Sequence, residues 1–285
     1  MIFVDMRGRQ VPALGFGTWA LTGRDCERAV AMAIELGYRH IDTAQSYENE
    51  AEVGRGWVAS GLPRHELFIT TKLSRLVNPV ARGADPTGNS AAHVAAGVED
   101  SLRKLRTDYV DLLLIHWPSP DVPMAETLDA MARLKSAGKV RALGVSNFTA
   151  AQMREAVEQL KHDVVCNQIE YHLLLSQRAV VGYGREHGIA VTAYCPLARG
   201  KLMGNPVVER VAKKHGKTAN QICLRWLLEQ PGVLAIPKAA SEGHARENIS
   251  IFDFALDAED RRALDPLPGN TRLVNPGWAP QWDAA

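Results

Sequence analysis

Four side chains with complementary acid–base chemistry occur in this sequence: Asp42, Tyr47, Lys72 and His116. A tyrosine hydroxyl has an ordinary pKa of about 10, and a neighbouring ammonium such as that of Lys72 lowers it by favouring the phenolate. A buried lysine stays charged beside a carboxylate, which Asp42 would supply. His116 would hold a carbonyl oxygen by a hydrogen bond. Together, these residues suit delivery of a proton to an oxygen atom.

Each of the four also has a structural interpretation that involves no catalysis. Asp42 followed by Thr43 is typical of a helix cap, and Lys72 is typical of a solvated strand end. His116 after an apolar run is typical of a hydrogen-bonded core imidazole, and Tyr47 of an aromatic packed at the start of a helix. The catalytic interpretation therefore depends on whether separately predicted elements bring the four residues together.

The elements that would position them are short apolar runs, each bounded by turn residues and followed by sequence with a helical period. Eight βα units in a chain of 285 residues predict a single (β/α)8 TIM barrel, one domain over residues 1–285. The predicted strands are LGFGT from Leu14, RHIDT from Arg39, LFITTKL from Leu67, VDLLLIHW from Val110, RALGVSN from Arg141, VVCNQIE from Val164, IAVTAY from Ile189 and GVLAIPK from Gly232.

Polar residues close most of these strands, and the carboxyl ends of barrel strands meet at one mouth. We expect the following side chains to face that mouth: Asp42, Lys72, His116, Ser146, Asn147, Gln168, Tyr194 and Lys238. Two long loops, NPVARGADPTGNS and PLARGKLMGNP, also follow strands, and loops of this length usually bind ligands or act as lids.

The two ends of the chain add elements outside the repeating units. MIFVDMRGRQVP, with its central Arg-Gly, predicts an N-terminal β-hairpin. ALDAEDRRALDPL predicts a late helix capped by Asp257. The remaining C-terminal tail, which carries Trp278 and Trp282, is expected to lie over the barrel mouth.

Composition excludes several classes of protein. A net charge of +1 provides no general basic field for nucleic acid or anionic membranes. The charged amino terminus does not look like a signal peptide, and no apolar run approaches the length of a membrane span. The four cysteines lack the spacing of a zinc site, so we expect no metal, and they fit reduced thiols in a cytoplasmic protein.

In order along the chain, a series of segments resembles the aldo-keto reductase family. They are GFGTW, GYRHIDTAQSYENEAEVG, LFITTKL, SLRKLRTDYVDLLLIHWP, GKVRALGVSNF, CNQIEYH, AYCPLARG and IPKAASEGHARENISIFDF. Within the family, IDTAQSY, LRTDYVDLLLIHWPSP and RLVNPGWAPQWD are most similar to bacterial 2,5-diketo-D-gluconate reductases. The resemblance implies that a hydride from NADPH reduces a small carbonyl compound to an alcohol.

The resemblance also implies roles for individual residues. Tyr47 would be the general acid, Lys72 and Asp42 would tune it, and His116 would orient the carbonyl. Trp19 and Trp117 would line the substrate pocket, although both also suit core aromatics. For the nicotinamide end of the cofactor, the resemblance implies Ser146, Asn147, Gln168, Tyr194, Pro196 and Leu197.

No GxGxxG follows a strand, so a Rossmann fold is excluded and the barrel mouth must bind the dinucleotide. For the adenosine end the resemblance implies Lys238, Ala239, His244, Glu247 and Asn248. The family often has Ser or Thr at position 239 and Arg at position 244. Imidazole cannot replace a bidentate guanidinium without loss, so NADH is a second candidate cofactor, unless Arg246 compensates.

Two other functions compete with this one. A non-catalytic nucleotide-binding protein of the same fold would need the cofactor contacts but no proton donor. A barrel aldolase would use Lys72 as a Schiff base and would need that amine uncharged. For a reductase, the short tail favours an open pocket for polar carbonyl compounds such as keto sugars, methylglyoxal or β-keto esters. No heptad pattern predicts oligomerisation, so we expect a monomer.

Overall fold

The structure is a computed structural model that describes residues 1–74, 89–265, 267 and 269–284. Its central sheet contains eight parallel strands in sequential order, and each corresponds to one of the predicted runs. The predicted barrel is therefore confirmed. The strands are β3 (Phe16–Gly17), β4 (His40–Asp42), β5 (Phe68–Leu73), β6 (Val110–Ile115), β7 (Val140–Ser146), β8 (Val164–Glu170), β9 (Ala190–Tyr194) and β10 (Val233–Ala235).

Contacts between the first and last strands close the sheet. Leu14 and Ala235 form a parallel bridge just before β3. Gly15 N donates to Ala235 O at 2.9 Å, and Ala235 N donates to Ala13 O at 2.8 Å. Closure thus pairs the two outer strands of the central sheet with each other in the described part of the chain.

The predicted N-terminal hairpin is present as β1 (Phe3–Asp5) paired with β2 (Gln10–Pro12). Its two central residues, Arg7 and Gly8, have φ angles of 52° and 87°. Two adjacent positive φ angles define the tight turn that suits the twist of a hairpin. The hairpin lies at the amino-terminal end of the barrel, since Pro12 O is 3.4 Å from Nδ1 of His40, the first residue of β4.

Ten α-helices lie within the described residues: α1 (Gly23–Glu35), α2 (Glu50–Ala59), α3 (Ala91–Leu105), α4 (Met124–Ser136), α5 (Ala150–Arg154), α6 (Arg178–His187), α7 (Pro206–His215), α8 (Ala219–Leu228), α9 (Glu242–Ile249) and α10 (Ala258–Leu264). Short 3₁₀ turns occupy Gln45–Tyr47, Arg64–Glu66 and Ala198–Gly200, and a π turn, Glu155–Gln159, continues α5. None of these helices combines the length and apolar character needed to cross a membrane.

Asp42 ends β4 and caps no described helix, so its interpretation as a helix cap is wrong. Asp257 Oδ1 accepts from the backbone N–H groups of Glu259 and Asp260 at 2.8 and 2.9 Å, which confirms the predicted cap of α10. Two helices, α7 and α8, separate β9 from β10, where a single barrel unit needs one. The connection after β9 is therefore the most elaborate in the described part of the chain.

Two helical glycines provide a matched test of how closely the outer helices pack. A Cβ added at Gly54 in α2 would lie 2.2 Å from the carbonyl oxygen of Lys104 in α3, whereas at Gly182 in α6 it would have no described atom within 4 Å. We expect Gly54→Ala to lower the free energy of unfolding by roughly 1–3 kcal/mol through overpacking. Gly182→Ala should raise it by about 0.5–1 kcal/mol through helix propensity. Urea unfolding would measure both, and equal shifts would contradict the packing difference.

Candidate active site

A cleft of about 740 Å³ opens at the carboxyl ends of the barrel strands. Strand register aligns the residues around it, because Ser146 at the end of β7 lies opposite Gln168 in β8, and Glu170 lies opposite Tyr194 in β9. Among its lining residues are most of those predicted from the sequence: Trp19, Asp42, Tyr47, His116, Trp117, Ser146, Asn147, Gln168, Tyr194, Pro196, Leu197 and Lys238.

Lys72 lies just beneath this cleft, with its side chain fully buried. Its Nζ donates to Asp42 Oδ1 at 2.5 Å and to Thr43 O at 2.9 Å, and lies 3.3 Å from the Tyr47 hydroxyl. Burial by itself lowers the pKa of Lys72, but Asp42 and Tyr47 outweigh that effect and raise the pKa above its ordinary value. Lys72 is therefore a charged ammonium, and its interpretation as a solvated strand end is wrong.

Tyr47 ends the 3₁₀ turn after β4, and Lys72 Nζ lies 4.8 Å from its ring centroid. Burial raises the pKa of Tyr47 above its ordinary value, and Lys72 offsets part of that rise. Lys72 lowers this pKa as expected, but burial raises it by more, because the phenolate loses more hydration than the ammonium restores. The consequence is a phenol that stays protonated at neutral pH, as a proton donor requires.

His116 follows β6, and its ring meets the Tyr47 ring edge to face, with centroids 5.7 Å apart. Burial lowers the pKa of His116 to about 3, and the charge of Lys72 contributes in the same direction. Its Nδ1 lies 3.2 Å from Ser46 Oγ. His116 is thus a neutral imidazole that lines the cleft, and the core-histidine interpretation does not describe it.

Polar side chains from neighbouring strands form one hydrogen-bonded wall of the cleft. Asn147 has a φ of 63°, and its Nδ2 donates to His116 O at 2.9 Å, while its Oδ1 accepts from the Tyr194 hydroxyl at 2.7 Å. Ser146 Oγ donates to Gln168 O at 2.8 Å. Gln168 Nε2 donates to Asp42 Oδ2 at 2.7 Å, which connects this wall to the buried lysine.

The residues predicted for the adenosine end lie just before α9 and along it. Lys238 is exposed at the cleft, whereas Ala239 is buried and His244 is exposed on the helix. Glu247 accepts a hydrogen bond from Thr218 Oγ1 at 2.6 Å. Asn248 is buried. Apart from Lys238, these residues do not line the cleft.

The C-terminal tail lies over one side of the cleft, as predicted, and aromatic packing holds it there. The ring of Trp117 packs edge to face against Trp278 at 4.8 Å and against Trp282 at 6.1 Å between centroids. Asp283 Oδ2 accepts from Ala150 N at 2.9 Å, at the first residue of α5. Trp117 is 8% exposed and Trp19 is 53% exposed, so only Trp117 also packs as a buried aromatic.

Three residues of the site were missed from the sequence: Ser46, Arg199 and Glu170. Arg199 lines the cleft, with its guanidinium carbon 5.5 Å from the Trp19 ring centroid. Glu170 is fully buried and accepts from the backbone N–H groups of Leu273 and Val274 at 2.7 and 2.8 Å. The position of Glu170 at the end of the run VVCNQIE was the sequence feature that could have indicated it.

Most of the predicted NPVARGADPTGNS loop, residues 78–88, lies outside the described residues.

Known proteins resemble this chain along nearly its whole length. The model of the Aldo/keto reductase family matches residues 13–267. A methylglyoxal reductase DkgB from Escherichia coli O157:H7 is 41% identical over 277 residues, covering 96% of this chain and 99% of that protein. An aldo-keto reductase from Mycolicibacterium smegmatis is 38% identical over 267 residues, covering 93% of each.

Solved structures also resemble this chain along nearly its whole length. A protein named as a 2,5-diketo-D-gluconic acid reductase B superposes with a TM-score of 0.93 at 44% identity, covering 100% of this chain and 98% of that one. The Bombyx mori aldo-keto reductase in complex with NADP superposes with a TM-score of 0.83 at 34% identity, covering 94% and 92%.

The neutral state of His116 can be tested through the pH dependence of stability. Its pKa is about 3 in the folded protein, against about 6.5 for an unfolded histidine. The unfolded state binds more protons between these values, so the contribution of His116 to stability is complete above about pH 6.5 and is lost as the pH falls towards 3.

We therefore expect the difference in unfolding free energy between wild type and His116→Gln to change by about 1.4 kcal/mol per pH unit between about pH 6 and 4. Denaturant titrations of both proteins at several pH values would measure it. The variant serves as the control for every other titrating group. A difference that stays constant over this range would show that His116 titrates normally.

Proposed function

Since the chain belongs to the aldo/keto reductase family, as its sequence segments indicated, we propose that it reduces small aldehydes and ketones to alcohols, with NADPH as hydride donor and Tyr47 as proton donor. The observation that supports this most is the hydrogen-bonded series Asp42, Lys72 and Tyr47 at the wall of the cleft, with neutral His116 beside it. Such a series serves proton transfer to a bound oxygen.

The substrate carbonyl oxygen would lie between the Tyr47 hydroxyl and the His116 ring. The His116 N–H donates a hydrogen bond that orients and polarises the carbonyl. Tyr47 then gives its proton to the oxygen, and the Lys72 ammonium, 3.3 Å from that hydroxyl, stabilises the phenolate that remains. Asp42 keeps Lys72 charged throughout. When NADPH is bound, it supplies the hydride that the carbonyl carbon accepts.

The residues of the cleft fit a nicotinamide dinucleotide. Ser146, Asn147 and Gln168 provide the hydroxyl and amide groups that match a carboxamide, and the Tyr194 ring provides a face for stacking. Arg199 and Lys238 bring positive charge to the same cleft, where phosphates would lie. We propose NADPH as the preferred donor through Lys238 and NADH as a slower one, because His244 supplies no guanidinium to the 2′-phosphate.

Small polar carbonyl compounds are the proposed substrates. Relatives named methylglyoxal reductase and 2,5-diketo-D-gluconic acid reductase support α-dicarbonyls and keto sugars, and the proposal extends to β-keto esters. The tail brings Trp278 and Asn275 to the lining of the cleft. A pocket bordered by these residues and by Arg199 suits compact polar molecules better than a bulky aromatic ketone.

The competing functions explain less of the site. A non-catalytic nucleotide-binding protein has no use for a buried lysine that contacts a tyrosine hydroxyl at the wall of the cleft. A Schiff-base aldolase needs a neutral lysine, whereas Asp42 raises the pKa of Lys72. We further propose a cytoplasmic enzyme, because all four cysteines are free thiols, which a reducing compartment preserves. We propose a monomer because the sequence has no heptad pattern.

The first assay follows loss of NADPH or NADH absorbance with methylglyoxal, keto sugars, β-keto esters and a bulky aromatic ketone. We expect turnover with NADPH, slower turnover with NADH, and higher kcat/KM for the small polar substrates. The reverse order of substrates would overturn the open-pocket proposal. Binding of NADPH without turnover across the panel would favour the non-catalytic protein.

Tyr47→Phe tests the assignment of the proton donor. The change deletes the hydroxyl and retains the ring, so we expect kcat to fall by roughly 100- to 10,000-fold, the range of general acid catalysis. The Kd of NADPH should stay within about twofold, because no proposed cofactor contact is lost. Tyr109→Phe is the matched control, since that ring lies outside the cleft between Arg64 and Arg141. Full activity of Tyr47→Phe would identify a different acid.

A further inference from the structure

Ser46 lies in the 3₁₀ turn immediately before Tyr47 and lines the cleft. Its Oγ is 3.2 Å from Nδ1 of His116, the one hydrogen bond of its side chain to a described residue. No pattern in the sequence indicates a function for this serine. Its hydrogen-bond partner, His116, is the residue proposed to bind the substrate carbonyl.

A neutral imidazole carries one proton on its two ring nitrogens, and the hydrogen bond made by one nitrogen selects the state of the other. His116 is neutral over the physiological range, because burial and Lys72 lower its pKa to about 3. Nδ1 is occupied by Ser46, whereas Nε2 has no hydrogen-bond partner in the described part of the chain. Nε2 is therefore the nitrogen left for a ligand in the cleft.

A carbonyl oxygen accepts hydrogen bonds and donates none, so Nε2 must carry the proton to hold it. We propose that the Ser46 hydroxyl donates to Nδ1 and so holds His116 in the Nε2–H tautomer, which makes Ser46 a positioning residue for the substrate carbonyl. This inference rests on the proposed reductase function. A hydroxyl suits the role because it can donate to a nitrogen lone pair without adding a charge beside the imidazole.

Nuclear magnetic resonance reports the tautomer directly and independently of turnover. Histidine labelled with ¹⁵N would be incorporated into wild type, Ser46→Ala and Ser46→Thr, with His116→Gln to assign the signals. We expect an unprotonated Nδ1 and a protonated Nε2 in wild type and in Ser46→Thr, and a mixture of tautomers in Ser46→Ala. Protonated Nδ1 in wild type, or the same tautomer in Ser46→Ala as in wild type, would overturn the proposal.

Kinetics test the consequence for the substrate. Loss of one orienting hydrogen bond should lower kcat/KM of Ser46→Ala by about 3- to 10-fold, with the Kd of NADPH unchanged and activity restored in Ser46→Thr. Ser136→Ala, on the exposed end of α4, controls for the loss of a serine hydroxyl elsewhere. Unchanged kcat/KM in Ser46→Ala would overturn the positioning role. Wild type without NADPH turnover would instead refute the proposed function, while its spectra would still report the tautomer.

Discussion

The arrangement of side chains at the mouth of this barrel depends on the burial of one ammonium group, that of Lys72. Lys72 has no exposed side-chain surface, and a buried charge is costly unless other groups replace its hydration. Asp42 Oδ1 and Thr43 O do so from the end of β4, and Asp42 Oδ2 is in turn bound by Gln168 from β8. The hydrogen bonds that compensate the charge of Lys72 thereby connect β4, β5 and β8 at the end where the cleft opens.

The charge of Lys72 lowers the pKa of both Tyr47 and His116, but the consequence differs between the two groups. It opposes the rise that burial imposes on the pKa of Tyr47, which makes the phenolate form of Tyr47 less costly. It adds to the fall that burial imposes on the pKa of His116, which keeps the imidazole neutral. A protonated phenol and a neutral imidazole thus lie side by side over the physiological range. This combination requires no pKa near neutrality.

Much of the fold and of the candidate site could be predicted because local patterns encode them. Asp42 and Lys72 each end an apolar run, so strand prediction alone placed both residues at the same barrel mouth. The Arg7-Gly8 turn and the Asp257 cap could be predicted because each depends on only a few consecutive residues. The net rise in the pKa of Tyr47 could not be predicted, because it depends on how far the ring is dehydrated in the folded protein. The contact of Ser46 with His116 joins residues 70 positions apart, and no spacing rule indicates it.

Glu170 shows how a distant segment is added to this local framework. The carboxylate ends β8 two residues after Gln168 and accepts three hydrogen bonds, from His172 Nε2 and from the backbone of Leu273 and Val274. Because a carboxylate only accepts hydrogen bonds, it fits three donors that an amide could not satisfy equally. The tail that it holds then packs Trp278 against Trp117. Strand ends therefore carry Asp42 and Lys72, whereas a segment about 100 residues further along the chain, anchored by Glu170, adds Trp278 to the lining of the same cleft.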